Sequence, residues 1–265
     1  MINLQSKLIC GILNITPDSF SDGGLYYRKE DALKRADEIV FQGAGWIDVG
    51  GQSTRPYSNP ISPEEEAERV IDVIHDIKKK YPSIIVSIDT YYPQVAEKAI
   101  EVGVDVINDI TGLRNDEMIE VVLRYRKPVV IMHMKGTPKD MQIDPHYDNV
   151  VLEIKNFFLE RISVLKKHNF DDIILDPGIG FGKKLEHNIE IMKNMKVFKE
   201  IGYPLMFGPS RKSFIGMITG ETEPKKRTSG TVAACLFCYP YVDIFRVHDV
   251  YEIKQAMDVF SYLLK

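Results

Sequence analysis

Polar residues or glycines follow eight short apolar runs along the chain, and several of them have side chains that could do chemistry. The runs end at Asn14, Gly50, Asp89, Asn108, Met132–His133, Asp176, Gly208 and Arg246. A carboxylate can accept two parallel hydrogen bonds from a guanidine-like edge, and an amide both donates and accepts. Asp89, Asn108 and Asp176 would together suit a flat heterocycle with several N–H donors and ring acceptors. Each residue alone could instead cap a helix, but three at equivalent places weaken that interpretation.

A second group of candidate site residues is cationic and comprises Arg55, Lys212, Arg246 and His248. The segment 210–213, with the sequence Ser-Arg-Lys-Ser, is predicted to open a helix opposite Arg246 and His248. Such an arrangement would hold a multiply charged anion, because phosphate sites often lie at these positions of α/β barrels. Most lysines and arginines are solvated surface charges instead. Arg246 directly follows an apolar run, which disfavours that alternative.

Three further motifs resemble known sites but do not meet their requirements. The glycine-rich stretch 178–183 matches neither the Walker pattern nor the dinucleotide fingerprint, so we expect it to approach a ligand with Phe181 as a wall. His133 and the other histidines lack the spacing of zinc ligands. Cys235 and Cys238 have the spacing of a redox motif, but they lie in an apolar helical run. That environment predicts core packing.

The apolar runs themselves are predicted to be strands, and helix-length segments separate them with a mean repeat of roughly 33 residues. The predicted strands are Leu8–Leu13, Trp46–Val49, Ile84–Ile88, Asp105–Ile107, Val129–Met132, Ile173–Leu175, Pro204–Phe207 and Val242–Phe245. Strands that alternate with helices pair in parallel through right-handed crossovers. Eight such units predict an α/β protein with one (β/α)8 TIM barrel, whose catalytic groups lie at the carboxyl ends of the strands.

Helices and long connections complete this predicted barrel. Amphipathic helices are predicted over Glu30–Gln42, Asn149–Lys167, Glu186–Ile201 and Val250–Leu264, and another begins with Ser62 as N-cap and Pro63 at its first position. Three connections are long or irregular: Thr16–Arg28 after the first strand, Gln52–Ser62 after the second, and Lys135–Asp148 after the fifth. Long loops in a compact barrel are usually functional, so we expect the first two to act as lids.

The composition favours a globular protein with one domain over residues 1–265. Hydrophobic residues make up 44% of the chain, charged residues 27%, and the net charge is −4. Nucleic acid is therefore not an expected partner. The chain has no 18-residue apolar stretch and no signal-peptide pattern, so no membrane association is expected. Three cysteines in such a chain indicate free thiols and a cytoplasmic location.

Several segments, in this order along the chain, resemble the signatures of the dihydropteroate synthase family. They are Gly11–Gly24, Asp48–Pro56, Ser87–Thr90, Ile107–Asp109, Leu175–Gly178, Ser210–Ser213 and Arg246–His248. The sequence departs from the family pattern at Gln52, Tyr57 and Pro209, where Glu, Gly and Thr, Val or Leu are usual. These departures affect the expected conformation of the second loop and the binding of the second substrate.

The resemblance implies a homodimeric transferase of folate biosynthesis. It would join 7,8-dihydropterin-6-ylmethyl diphosphate to 4-aminobenzoate, through loss of diphosphate to a pterin-methyl cation followed by attack of the amine. The resemblance assigns pterin binding to Asp89, Asn108, Met132, Asp176 and Lys212, diphosphate binding to Thr54, Arg246 and His248, and Mg²⁺ binding to Asn14. It assigns aminobenzoate binding to Phe20, Arg55, Pro56, Phe181 and Ser213. The catalytic residues implied are Asn14, Asp89, Lys212 and Arg246.

Other functions remain alternatives at this point. A methyltetrahydrofolate–corrinoid methyltransferase would share the pterin carboxylates but would not need cationic groups for diphosphate. A non-catalytic pterin-binding subunit would keep the pterin pocket and lose the lid or anion residues. A phosphosugar enzyme is compatible with the barrel alone, because fold does not determine function.

Overall fold

The computed structural model describes residues 7–16, 29–53, 60–137 and 139–265. Most of the first predicted lid and the centre of the second, residues 17–28 and 54–59, lie outside the described residues. So do four residues that the family resemblance assigns to the site: Phe20, Thr54, Arg55 and Pro56. Their roles stay predictions.

Eight parallel strands form the barrel, as the repeat of apolar runs predicts. They are β1 (Leu8–Asn14), β2 (Trp46–Gly50), β3 (Ile85–Asp89), β4 (Val106–Asp109), β5 (Val129–Met132), β6 (Ile173–Asp176), β7 (Met206–Phe207) and β8 (Ile244–Val247). The order around the sheet is β6-β5-β4-β3-β2-β1-β8-β7. A parallel bridge between Leu175 and Leu205 joins β6 to the residue before β7. The barrel is therefore nearly closed, and the (β/α)8 prediction is confirmed.

Helices connect successive strands and cover the outside of the barrel. They are α1 (Lys29–Phe41), α2 (Pro63–Lys80), α3 (Pro93–Glu101), α4 (Asp116–Tyr125), α5 (Val150–Lys166), α6 (Leu185–Lys193), α7 (Met195–Lys199), α8 (Ser213–Thr219), α9 (Thr228–Cys238) and α10 (Val250–Leu263). Ser62 caps α2 as predicted, because its hydroxyl accepts the Glu65 N–H at 3.2 Å. None of the helices in the described part of the chain is long and apolar enough to span a membrane.

Two elements differ from the prediction. The single helix expected over Glu186–Ile201 is two helices that break at Asn194. The Asn194 side-chain nitrogen donates to the Glu190 carbonyl at 2.9 Å, and local side-chain bonding of this kind favours a helix end. Arg246 lies inside β8 rather than after it, because the strand begins two residues later than the apolar run.

The barrel interior is apolar at one end and polar at the other. Seven buried residues fill the apolar end: Cys10, Trp46, Val106, Val130, Ile174, Met206 and Ile244. Side chains alternate along a strand, so the residue two positions further on faces the interior again. From Trp46, Val106, Ile174 and Ile244 that step leads to Asp48, Asn108, Asp176 and Arg246, and from Ile85, which packs against the seven, it leads to Ser87. The strands thus carry a polar layer directly above an apolar floor. Cys235 and Cys238 are buried free thiols in α9, away from this interior.

Candidate active site

The register of the first four strands places Asn14, Gly50, Asp89 and Asn108 side by side at the barrel mouth. Gly50 has no side chain between its two polar neighbours. A Cβ built there would lie 3.6 Å from Asn14 Oδ1 and 3.6 Å from Asp89 Oδ2. The amide oxygen of Asn14 and the carboxylate of Asp89 therefore converge above this glycine. Both groups present oxygen atoms that could coordinate a cation.

Arg246 forms two ion pairs inside the barrel. Its Nε donates to Asp48 Oδ2 at 2.6 Å, and its Nη2 donates to Asp89 Oδ2 at 2.6 Å. The guanidinium thus links β8 to β2 and β3. Within the described ranges Nη1 has no hydrogen bond, so this nitrogen is the candidate donor to an anion. Arg246, which is predicted to bind diphosphate, therefore also neutralises two carboxylates.

Asp48 is a site residue that the sequence analysis missed. Its side chain is fully buried and accepts hydrogen bonds from Ser87 Oγ and, at 3.0 Å, from Asn108 Nδ2. Asp48 therefore orients Asn108 and Arg246 from below. Strand alternation contains the signal, because Asp48 lies two residues before Gly50 and faces the interior like it.

Asp89 has an oxygen that is ready to accept a hydrogen bond from a ligand. Its Oδ1 is buried and has no hydrogen-bond partner among the described residues. Burial raises the pKa of Asp89 to about 7, although Arg246 acts in the opposite direction. A buried acceptor without a partner is costly, so a ligand N–H placed there would be well stabilised.

Asp176 and Lys212 lie on the other side of the mouth. Asp176 Oδ1 accepts the Gly178 N–H at 2.7 Å, and burial raises the pKa of this carboxyl. Burial lowers the pKa of Lys212 to about 7, with a further contribution from the charge of Arg246. The Lys212 Nζ lies 3.9 Å from the centroid of the Phe181 ring. The mouth therefore combines one carboxyl, Asp89, and one amine, Lys212, whose pKa values both lie near 7.

A strained turn presents Lys212 to the mouth. Arg211, directly before it, has a φ of 59°, which is left-handed backbone for a residue with a side chain. Its Nε donates to Asp249 at 3.0 Å, and its backbone N–H donates to the Thr231 hydroxyl at 3.1 Å. These contacts hold the turn. Ser213, the predicted aminobenzoate contact, is exposed at the start of α8.

The predicted pterin contact Met132 belongs to an apolar wall beside these polar groups. It packs with Ile110, Met134 and Met141, and the rings of Tyr91 and Phe181 border the cluster. Flexible methionine side chains and aromatic rings suit the face of a planar ligand.

His248 is held as a neutral imidazole by Ser210. The Ser210 hydroxyl accepts the His248 backbone N–H at 3.1 Å and lies 3.0 Å from Nδ1. We assign the hydroxyl hydrogen to Nδ1, a choice of tautomer that leaves the ring proton on Nε2. Burial and the charges of Arg211 and Arg246 lower the pKa of His248 to about 3. His248 therefore offers a neutral N–H donor rather than a charge.

Gln52, where the family pattern usually has Glu, is accommodated by a neighbouring tyrosine. Its side-chain nitrogen donates to the Tyr91 hydroxyl at 2.6 Å. A glutamate would instead accept from that hydroxyl, so the contact survives with its donor and acceptor exchanged. Over the described ranges, no group of three or more His, Cys, Asp or Glu side chains could hold a metal ion.

A family model described as pterin binding enzyme matches residues 10–248. This match, with the carboxylate-lined mouth of the barrel, defines the class as a pterin-binding barrel enzyme.

Three relatives within this class of pterin-binding enzymes carry the same enzyme name. The dihydropteroate synthase of Synechocystis sp. is 41% identical over 255 residues, which cover 95% of this chain and 88% of the relative. The Yersinia pestis dihydropteroate synthase, solved with a sulfonamide drug, has a TM-score of 0.93 at 35% identity and covers 99% and 96% of the two chains. The Xanthomonas albilineans dihydropteroate synthase, solved with 4-aminobenzoic acid, has a TM-score of 0.92 at 38% identity and covers 98% and 94%. The chain therefore belongs to the dihydropteroate synthase family.

Proposed function

We propose that this chain condenses 7,8-dihydropterin-6-ylmethyl diphosphate with 4-aminobenzoate to give 7,8-dihydropteroate and diphosphate. The single observation that carries the proposal is the barrel mouth, where acceptors for a pterin edge and donors for an anion meet around Asp89 and Arg246. The family membership and the solved relative with 4-aminobenzoic acid support it.

The pterin occupies the side of the mouth formed by β3 to β6. Its amino group and ring N–H edge donate to Asp176, and Asp89 Oδ1 accepts a further N–H. Asn108 contributes its amide oxygen, because its nitrogen is already bonded to Asp48. Lys212 donates to ring acceptors, and Met132 packs against the face of the ring.

The diphosphate occupies the side formed by β8 and β1. Arg246 Nη1 and the Nε2–H of His248 donate to its oxygens, and the predicted contact Thr54 adds a hydroxyl. Charge-assisted bonds from a guanidinium are strong in a buried site. The corrinoid-methyltransferase alternative has no use for these donors, so they favour the condensation.

The reaction begins with cleavage of the bond between the methylene carbon and the bridging diphosphate oxygen. The electron pair leaves with the diphosphate, and the positive charge spreads over the pterin ring. Asp89 lies where this charge develops and stabilises it in a partly dry site. The lone pair of the 4-aminobenzoate nitrogen then forms the new C–N bond, and the nitrogen loses one proton.

The 4-aminobenzoate binds next to the methylene carbon, against Phe181 and Ser213. The predicted contacts Phe20, Arg55 and Pro56 would close over it from the two long loops. Arg55 suits the carboxylate of this substrate, because a guanidinium pairs with a carboxylate through two parallel bonds.

We further propose that Mg²⁺ binds at Asn14 together with the diphosphate. Magnesium prefers oxygen ligands and usually takes one or two from the protein and the others from phosphate and water. The Asn14 amide oxygen beside Gly50 and Asp89 fits that pattern. When bound, the ion would neutralise the charge that develops on the leaving diphosphate.

A homodimer and a cytoplasmic location belong to the same proposal. Ile218 and Phe237 are exposed and line an apolar groove between α6, α8 and α9. Apolar patches of this kind mark interfaces. Leu236, Tyr239 and Tyr241, which lie close to Phe237 in the sequence, pack against the core. The three free thiols support a reducing compartment.

An assay of diphosphate release tests the proposed activity. The purified protein is given the dihydropterin diphosphate and Mg²⁺, with and without 4-aminobenzoate. We expect release that depends on the amine. Release that is independent of the amine would indicate a hydrolase, and no release would favour a non-catalytic pterin-binding subunit.

A further inference from the structure

Lys183 is a buried lysine that the proposed mechanism does not use. Its side chain is nearly inaccessible, with the whole residue only 4% exposed. The Nζ donates to the carbonyl oxygens of His133 at 3.1 Å, Gly178 at 2.8 Å and Phe181 at 2.9 Å. It also lies 3.1 Å from His133 Nδ1. One ammonium group thus links the segment after β5 to the loop after β6.

The two segments joined by Lys183 are in direct backbone contact. Gly178 and Gly182 both have positive φ, at 67° and 62°. A Cβ on Gly178 would lie 2.0 Å from the His133 carbonyl oxygen, and one on Gly182 would lie 2.3 Å from the Lys135 carbonyl oxygen. Only glycine permits this approach, and the approach turns several carbonyl oxygens toward one another. The Lys183 ammonium supplies the donors that these oxygens require.

The loop held in this way carries Phe181. Glycine-rich backbone has more conformational freedom to lose than any other, so the loop needs contacts to keep one conformation. The Phe181 ring borders the apolar wall that contains Met132, and Lys212 Nζ lies above the ring. The bond from Lys183 to the Phe181 carbonyl therefore fixes the ring that faces both substrates.

We propose that Lys183 is a positioning residue, which acts through Phe181 to set the binding site for 4-aminobenzoate. This inference rests on the proposed function, in which Phe181 borders the aminobenzoate. It predicts that loss of the Lys183 side chain affects the second substrate more than the pterin. Asp89 and Asn108 lie on strands that Lys183 does not contact, and Asp176 is held by β6 as well as by the Gly178 N–H.

The test uses Lys183→Met, which keeps the length of the side chain and removes its donors. Lys184→Met is the matched control, since the neighbouring Lys184 is partly exposed and pairs with Asp144 on the surface. We expect Lys183→Met to raise KM for 4-aminobenzoate about tenfold or more, because the substitution removes a buried donor and leaves its carbonyl acceptors unpaired. The dissociation constant of the pterin diphosphate should change by less than about threefold, within the effect of a surface substitution. Lys184→Met should leave both unchanged.

A double-mutant cycle with Phe181→Leu shows whether Lys183 acts through Phe181. In the Phe181→Leu background, Lys183→Met should raise KM for 4-aminobenzoate much less than in the wild type. An equal increase in both backgrounds would overturn the proposal, as would a lowered melting temperature with unchanged KM. If Lys183→Met does not fold, Lys183→Gln, which is neutral but retains two N–H donors, replaces it in the same cycle.

Hydrogen exchange separates failure of this inference from failure of the proposed function. Amides of residues 178–183 should exchange faster in Lys183→Met than in Lys184→Met, whether or not the protein is active. Equal exchange in the two variants would show that Lys183 does not hold the loop. Absence of amine-dependent diphosphate release by the wild type would instead overturn the proposed function.

Discussion

At the scale of single residues, the guanidinium of Arg246 has two tasks that the sequence analysis treated as one. The residue was expected to bind diphosphate, and its Nη1 edge remains suited to that role. Its Nε and Nη2 pair with Asp48 and Asp89, which would be two buried carboxylates without this counter-charge if Arg246 were removed. A substitution at this position therefore changes stability as well as ligand affinity.

Arg246→Ala should lower the free energy of unfolding by about 3–5 kcal/mol, the usual effect of removing one partner of a buried ion pair. Adding Asp48→Asn should recover part of this loss, because one of the stranded charges is then removed. Urea denaturation of the two single variants and the double variant measures this coupling. Additive losses would show that the ion pair has no energetic role.

Arg246→Ala should also weaken diphosphate binding by about ten- to hundredfold, because a hydrogen bond to a charged group contributes about 1.5–3 kcal/mol. Titrations with the dihydropterin alcohol and with its diphosphate separate the two effects of the substitution. The variant should lose affinity mainly for the diphosphate. Equal losses for both ligands would mean that Arg246 is structural only.

The two pterin carboxylates should differ in their kinetic effects. Asp89→Asn should lower kcat by about 30- to 200-fold with a small change in KM, since about 2–3 kcal/mol of cation stabilisation is lost. Asp176→Asn should chiefly raise KM for the pterin, as expected for loss of uniform binding. Steady-state kinetics with direct pterin titration distinguish these outcomes. Weaker pterin binding by Asp89→Asn with unchanged kcat would contradict the role assigned to Asp89.

At the scale of elements, α2 and β3 are joined by a buried glutamate beside the site. Glu66 accepts a hydrogen bond from the Thr90 hydroxyl at 2.7 Å, directly after Asp89. Burial raises the pKa of Glu66 from 4.5 to about 7, against the hydrogen bonds from Thr90 and Gly51. The unfolded chain therefore releases this proton at a lower pH than the folded protein. The contribution of Glu66 to the free energy of unfolding therefore falls as the pH rises from 4.5 to about 7.

Glu66→Gln should remove that pH dependence while keeping an acceptor for Thr90. When the pH is raised from below 4.5 to above about 7, the stability of the variant relative to wild type should increase by about 3 kcal/mol. Glu68→Gln, an exposed substitution in the same helix, is the control. Urea denaturation across this pH range measures the difference, and parallel curves for wild type and Glu66→Gln would refute the assignment.

The strands could be predicted from the sequence far better than the contacts between them. Apolar runs separated by helix-length segments define a barrel, because every strand of a barrel is buried on both sides. The break at Asn194 depends on a local side-chain hydrogen bond, and the extent of β7 depends on its pairing with β8. Periodicity contains neither. Asp48 and Lys183 were missed for a related reason. Their roles arise from partners that are far away in sequence, namely Arg246 and His133.

At the scale of the whole molecule, the apolar face around α8 and α9 should join two copies of the chain. Phe237→Lys places a charge at its centre and should convert a dimer into a species of the 30.3 kDa chain mass. Tyr262→Lys, on an exposed residue of α10, should leave the dimer intact. Sedimentation equilibrium measures both masses. A wild-type monomer, or a dimer that tolerates Phe237→Lys, would contradict this interface.

Mass spectrometry of the product tests the central claim most directly. The protein is incubated with the dihydropterin diphosphate, Mg²⁺ and 4-aminobenzoate that carries ¹⁵N in its amino group. We predict labelled 7,8-dihydropteroate in equal amount to the released diphosphate, and a strongly reduced rate for Asp89→Asn. Diphosphate released without labelled dihydropteroate, or no turnover of the two substrates, would contradict the account.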